Sequence, residues 1–272
     1  MTLQLEYMGN ADVPLEVEGV LPETLRGQSL NEIERAAVFH GNEPGTLADF
    51  FRISGDLSDD CMVWSGDLTG VHWLGAKMAL GTLRIEGSAG RHVGSEMRGG
   101  HIEVSGDVSD WLGGEMHGGL IRVRGNAGHL VGAAYRGSPR GVTGGTILID
   151  GNAGNEIGHS MRRGLVAIGG DVGDLVGFNM LAGSIFVGGS SGIRHGAAMR
   201  RGTIGFLGPE PPPILPTFRR ACRFQGGILR LVSVALRRHG MGLADQMDVP
   251  LDLYNGDLIE GGRGELMITA GT

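Results

Sequence analysis

Arginine returns at one register of this chain. Arg98, Arg136, Arg162, Arg163, Arg200 and Arg201, with His117 in the same series, each follow within two residues a methionine or, once, a tyrosine. A guanidinium offers a rigid fork of donors and stays charged at any physiological pH, so such a row suits carboxylates or phosphates rather than proton transfer. Stacked one above another, these side chains form a basic ridge, which is either a solvated face with local ion pairs or a surface able to dock an acidic partner or to hold an anionic tail. The other side chains with chemical potential do not assemble. Nine histidines are scattered over different settings, with no HxH or HExxH among them; they are expected at the surface or in corners. Cys61 and Cys222 stand far apart, form no CxxC pair, and are read as small buried residues. No GxSxG elbow occurs. The reading assigns no catalytic residue and no metal ligand.

What positions the ridge is a repeat. Glycine accounts for 52 of the 272 residues, far above the usual ~7%, yet never every third residue, which excludes collagen. The middle of the chain repeats every 19 residues: GSAGRHVGSEMRGGHIEVS from Gly87, GDVSDWLGGEMHGGLIRVR from Gly106, GNAGNEIGHSMRRGLVAIG from Gly151, GDVGDLVGFNMLAGSIFVG from Gly170 and GSSGIRHGAAMRRGTIGFL from Gly189. The copy from Gly66 carries two extra residues, the copy from Gly125 seven extra near Arg136–Thr143, and a half-copy starts at Gly55. Self-similarity of this kind is read before any local motif. Recurrent GNAGHLVG-type stretches are therefore corners and not a dinucleotide loop, which occurs once and opens a helix.

Each copy opens with Gly followed by Asp, Asn or Ser, a turn signal in which the short side chain caps local backbone groups. It closes with an alternating apolar pair such as Ile102 and Val104 or Ile185 and Val187, the period-2 mark of a strand with one buried face. Nineteen residues hold two or three short strands and tight corners, with no room for a helix. Stacking puts Val93, Leu112, Val131, Ile157 and Val176 in one inner column, with methionines and the closing pairs in others. The expected fold is all-β: a right-handed, single-stranded parallel β-helix of about seven coils, some 30–35 Å long at ~4.8 Å per coil.

Three parts are expected: a cap over residues 1–54, the β-helix over 55–208, and a Pro-rich linker and C-terminal arm over 209–272. The cap holds a strand (Leu3, Leu5, Tyr7) and a helix with Ser29 as N-cap, Glu32 three residues on, and Leu30, Ile33 and Ala37 on one face. The arm leaves through PEPPPILP, has an Arg-rich segment Phe218–His239 that is helical in its second half, and ends in strand. A net charge of −7 argues against non-specific nucleic-acid binding. No run of 18 apolar residues suggests a membrane span, and the start MTLQLEYMGNAD has no signal pattern. The expected setting is cytoplasmic.

The Gly-rich coil with its Met and closing I-x-V, over Gly55–Gly208, resembles the C subunit of formylmethanofuran dehydrogenase and the related C-terminal domain of the glutamate synthase large subunit. The Pro-rich exit and the tail YNGDLIEGGRGEL (Tyr254–Leu266) are similar to the former. That resemblance implies one of two assemblies. One is a molybdenum or tungsten dehydrogenase that reduces CO2 to formylmethanofuran in methanogenesis. The other is the formyltransferase/hydrolase complex of methylotrophic bacteria, which moves formyl from formyl-tetrahydromethanopterin to a methanofuran-type carrier and releases formate. Lys77 is the single lysine among 23 basic residues, a bias of GC-rich bacterial genomes that favours the second. In both, the resemblance implies a non-catalytic scaffold, with no cofactor on this chain and with the carrier and metals on partner subunits, here formyltransferase and amidohydrolase-like chains. The carrier's polyglutamate-type tail is the anion the resemblance offers to the arginine ridge. A glutamate synthase-like structural domain stays open as a third reading. A stand-alone solenoid enzyme is disfavoured because the outward residues Arg84, Glu86, Glu103, Arg122 and Arg124 form no recurring acidic cluster.

Overall fold

The closing apolar pairs fold into the strands of one large sheet. A computed structural model describes residues 2–10 and 12–270. The N-terminal part contains β1 (Leu3–Tyr7), β2 (Leu15–Glu16), α1 (Pro22–Leu25), α2 (Leu30–Glu34), β3 (Ala37–His40), β4 (Glu43–Thr46), α3 (Leu47–Phe50) and β5 (Phe51–Ser54). The repeat contributes β6 (Cys61–Ser65), β7 (Val71–His72), β8 (Thr82–Ile85), β9 (His101–Val104), β10 (Leu120–Val123), β11 (Thr146–Ile149), β12 (Leu165–Ile168), β13 (Ser184–Val187) and β14 (Gly202–Phe206). The C-terminal part adds β15 (Arg219–Phe224), α4 (Gly227–Arg238), β16 (Leu251–Gly256) and β17 (Gly264–Thr269).

Thirteen strands form the main sheet, in the order β15-β16-β17-β14-β13-β12-β11-β10-β9-β8-β6-β1-β5. From β1 to β17 along that order every neighbouring pair is parallel, and like positions face like: Ile102, Ile121, Ile147, Val166, Ile185 and Ile204 lie in one register line. The sheet as a whole is mixed, because β5 joins one end and β16 and β15 the other in antiparallel fashion. A coil carries one four-residue strand and a single parallel bridge, as at Ala89–Val108–Ala127, rather than the two or three strands expected. Tight corners consume the rest of the repeat.

The inner columns are as the spacing dictates. Val93, Leu112, Val131, Ile157 and Val176 are fully buried, as are Met97, Met116, Met161, Met180 and Met199; each such side chain contributes about 1.5–3 kcal/mol relative to exposure. The Asp and Asn corners act differently from expectation. Asp67 caps its own turn, accepting from the Thr69 N–H at 3.2 Å, but the later side chains cap the next rung: Asp107 accepts from the Asn126 N–H (2.6 Å), Asn126 from Asn152 (2.8 Å), Asn152 from Asp171 (2.8 Å) and Asp171 from Ser190 (2.7 Å). A second line runs through Asp110, His129, Asn155 and Asp174. A corner histidine thus takes the same acceptor place, with His129 Nδ1 2.9 Å from the Asn155 nitrogen.

Both flanking segments close the column. β1 pairs in parallel with β6, and β17 with β14, so each terminus supplies an extra rung. The Ser29–Glu32 capping box forms, but α2 ends at Glu34 and Ala37 opens β3, because the exposed turn has too few apolar contacts to extend it. Across the outer sheet face lies α4, whose Leu229 and Leu236 bury Leu148, Ala167 and Phe186. That cover overturns one expectation: Arg122, outward by its alternation along β10, is only 3% exposed. Cys222 is exposed on the edge strand β15, while Cys61 is buried. His195 is also buried, not superficial. Among the described residues no helix is long and apolar enough to cross a membrane.

Candidate functional site

The row that follows the methionines is pinned by the backbone. The N–H groups of Arg98, His117, Thr143, Arg162, Leu181 and Arg200 each donate 2.7–2.8 Å to the carbonyl of the residue one rung before. Thr143, not Arg136, holds this place in the copy from Gly125. The seven-residue insertion delays the coil, so Val142, fully buried, fills the methionine column. Tyr135 turns outward instead, where its hydroxyl is satisfied: Oη donates to Ser95 Oγ at 2.8 Å and lies 3.0 Å from His92 Nδ1. A buried methionine column offers a phenol no such partner. Arg136 is therefore displaced into the insertion.

The ridge does not run as one line. Arg162, Arg200 and Arg201 converge with Arg140 and Arg263 around a cleft of about 310 Å³, floored by Leu181. Arg98, Arg136 and Arg163 are exposed but lie outside its lining. Arg98 sits three rungs from Arg162, or about 14 Å. Two arginines of the cleft have no counterpart in the sequence-derived row. Arg140 arrives on the insertion. Arg263 arrives because β17 stacks on β14 with Gly264 opposite Gly202, which sets Arg263 beside Arg201; aligning RGELMI with RGTIGF is the signal that would have found it.

Five guanidinia share this cleft, and Arg200 Nε rests 3.3 Å from Glu260 Oε2. No other ion pair to a carboxylate is present on these five side chains among the described residues. Like charges held this close repel one another, and an incoming polyanion relieves the repulsion. Chemically the arrangement suits anions, and its lining residues, five arginines and Leu181, include no nucleophile or general base.

A second cluster sits on another corner. Trp73 stacks on His92 with centroids 4.0 Å apart, and Trp111 stacks on Tyr135 at 4.7 Å. Burial, with help from His72 and Arg91, pushes His92 down to about 4, and burial pushes Tyr135 up to about 12. Both groups are neutral at pH 7. The open chain protonates His92 near its ordinary 6.5, so between pH 6.5 and about 4 the unfolded state binds the extra proton and stability declines as pH falls. The melting temperature should therefore drop across that window in the wild type, and less in His92→Phe, which keeps a stackable ring; equal slopes would remove His92 as the source. Among the described residues no group of three or more His, Cys, Asp or Glu is arranged to hold a metal.

Parallel glycine-cornered rungs, capped by strands from both termini and carrying an arginine cleft, define a class of β-stacked subunit. No family model matches the chain. The C subunit of the tungsten-containing formylmethanofuran dehydrogenase 2 of Methanothermobacter thermautotrophicus is 39% identical over 88 residues, 31% of this chain and 33% of that protein. Its counterpart in the molybdenum-containing formylmethanofuran dehydrogenase 1 of Methanosarcina barkeri is 39% identical over 86 residues, 30% of this chain and 29% of its own length. The chain thus matches about a third of the length of these curated relatives. A chain in the crystal structure of the formyltransferase/hydrolase complex (FhcABCD) from Methylorubrum extorquens, in complex with methylofuran, superposes with a TM-score of 0.91 at 32% identity, covering 98% of this chain and 100% of that one. This chain belongs to the family of formylmethanofuran dehydrogenase C subunits.

Proposed function

We propose that this chain is a non-catalytic scaffold subunit of a formyltransferase/hydrolase complex in one-carbon metabolism. That complex transfers formyl from formyl-tetrahydromethanopterin to a methanofuran-type carrier and releases formate. The observation that carries the reading is the likeness to the FhcABCD chain, which runs over 98% of the sequence. In this reading the rungs over 55–208 are a right-handed, single-stranded parallel β-helix, with 1–54 as its cap and 209–272 as its arm. A filled column of this kind is stiff and suits holding larger formyltransferase and amidohydrolase-like subunits in register. Its setting is the cytoplasm. Arg162, Arg200 and Arg201, with Arg140 and Arg263, hold an anionic carrier tail or an acidic partner surface.

A second reading, the C subunit of a molybdenum or tungsten formylmethanofuran dehydrogenase, draws on the matched third of the curated relatives. Affinity purification from the native host followed by mass spectrometry of the partners separates the two. Formyltransferase and amidohydrolase-like chains support the proposal; pterin and iron–sulfur chains replace it with the second reading, and an amidotransferase overturns both.

A further inference from the structure

The tail YNGDLIEGGRGEL (Tyr254–Leu266) folds into the end of β16, a connection over 257–263, and the start of β17. That connection carries Leu258, 50% exposed, and Ile259, 79% exposed, the latter the most exposed large apolar side chain among the described residues. A turn left to water is ordinarily polar and mobile. This one is tied down on both sides of its apolar tip. The buried Asp257 carboxylate accepts from the Ala198 N–H at 3.1 Å and from the Ile259 N–H at 3.0 Å. The Leu258 N–H donates to the Thr217 carbonyl at 3.0 Å, and the Asp257 carbonyl accepts from Glu260 at 3.0 Å and Gly262 at 2.8 Å. Two aliphatic side chains are thus held on the terminal rung in one placement, with the entropy of ordering them already lost before any contact is made.

The same connection reaches the arginine cleft twice. Glu260 pairs with Arg200 at 3.3 Å, and Arg263 lines the cleft itself. Among the described residues Glu260 is the one carboxylate within ion-pair reach of the five guanidinia. An apolar tip and a strong excess of positive charge therefore lie side by side. A single exposed isoleucine is ordinary on a protein surface. An anchored aliphatic pair beside arginines short of carboxylates matches the anatomy of a protein interface, where an apolar anchor fills a pocket and polar groups pair around it. A flexible anionic tail would use the arginines and leave Ile259 in water.

We propose that the 257–263 connection and the arginine cleft form one docking surface for a partner subunit, which offers an apolar pocket to Ile259 and Leu258 and a rim of aspartate or glutamate to the arginines. Opposite charges around the pocket set the orientation of the partner, and the apolar anchor slows its release. This assignment of the cleft to an acidic partner surface, in place of a carrier tail, rests on the reading of the chain as a subunit of a formyltransferase/hydrolase complex.

The test expresses tagged, full-length versions in the native host in place of its own copy. Mass spectrometry of the purified complexes then measures how much formyltransferase and amidohydrolase-like chain each tagged copy carries. Ile259→Ser is expected to retain at least one of these two chains about tenfold less than the wild type does, with an unchanged melting temperature, since the side chain is exposed. Ile259→Leu, which keeps the apolar volume, should retain both. Equal retention by the wild type and Ile259→Ser overturns the proposal, as does a loss that accompanies a lowered melting temperature. A wild type that carries neither chain overturns it together with the proposed function. Binding of the purified chain to phosphatidylglycerol vesicles that Ile259→Ser abolishes would assign the tip to a membrane surface and overturn it too.

Discussion

Gly119→Ala is expected to cost about 3–5 kcal/mol and to leave the chain largely unable to complete its stack. Gly119 enters β10 at φ +90°, where an L side chain is strained. A Cβ there would stand 2.7 Å from the Met97 methyl and 2.9 Å from the carbonyl oxygen of Gly100, one rung away. Backing away from that oxygen would separate two rungs and break the Leu120 N–H bond to the same carbonyl. The corresponding residues of the following rungs, Gly145, Gly164, Gly183 and Gly202, are glycine too, all with φ between +92° and +107°. Gly227→Ala at the start of α4 is the matched control, because its Cβ meets nothing within 4 Å. Urea unfolding followed by tryptophan fluorescence should show a large fall in midpoint for the first variant and none for the second; similar midpoints would mean that the rung spacing tolerates a methyl at this corner.

The second large effect falls on binding rather than folding. Arg162→Glu combined with Arg201→Glu should weaken retention of an oligoglutamate peptide roughly a hundredfold, since two charge-assisted contacts of about 1.5 kcal/mol each become repulsions. The wild-type interaction should fade as salt rises, over a Debye length of about 10 Å at 0.1 M. The melting temperature should barely move, as both side chains are exposed and carry no ion pair among the described residues. Measured by fluorescence anisotropy, peptide affinity equal to that of the wild type would exclude the cleft as an anion site. Complex assembly in a pull-down distinguishes a docked partner from a bound tail.

Much of this architecture is legible in residue order, and the reason is periodic. Val93, Leu112 and Met97 lie where they do because one rung copies another, so a column follows from spacing alone. What spacing conceals depends on interactions outside the repeat. Arg136 joins the row by its place after Tyr135, yet an insertion hides where its coil resumes, and only the burial of Val142 reveals it. Arg140 and Arg263 reach the cleft from that insertion and from the terminal rung. Arg122 looks solvated in sequence because its cover, α4, is more than a hundred residues away. Cys222 misleads for a related reason: as a small apolar residue it reads as buried, but β15, which carries it, forms the sheet's outer edge.

The strand reversals at both ends of the sheet carry a consequence for solution behaviour. A column finishing on a bare parallel rung would offer a second molecule the template on which its own first rung could continue, and copies would string head to tail into filaments. Here β5 closes one end against the grain, so an arriving copy finds the wrong polarity of donors and acceptors there; at the other end β16 is reversed and β15, antiparallel to β16, runs with the rungs again. Arg219, Arg220 and Arg223, against the one carboxylate of Asp252 that pairs with the last two, leave β15 with an excess of positive charge. A repeat that could polymerise without limit meets a reversed strand at one end and a charged edge at the other.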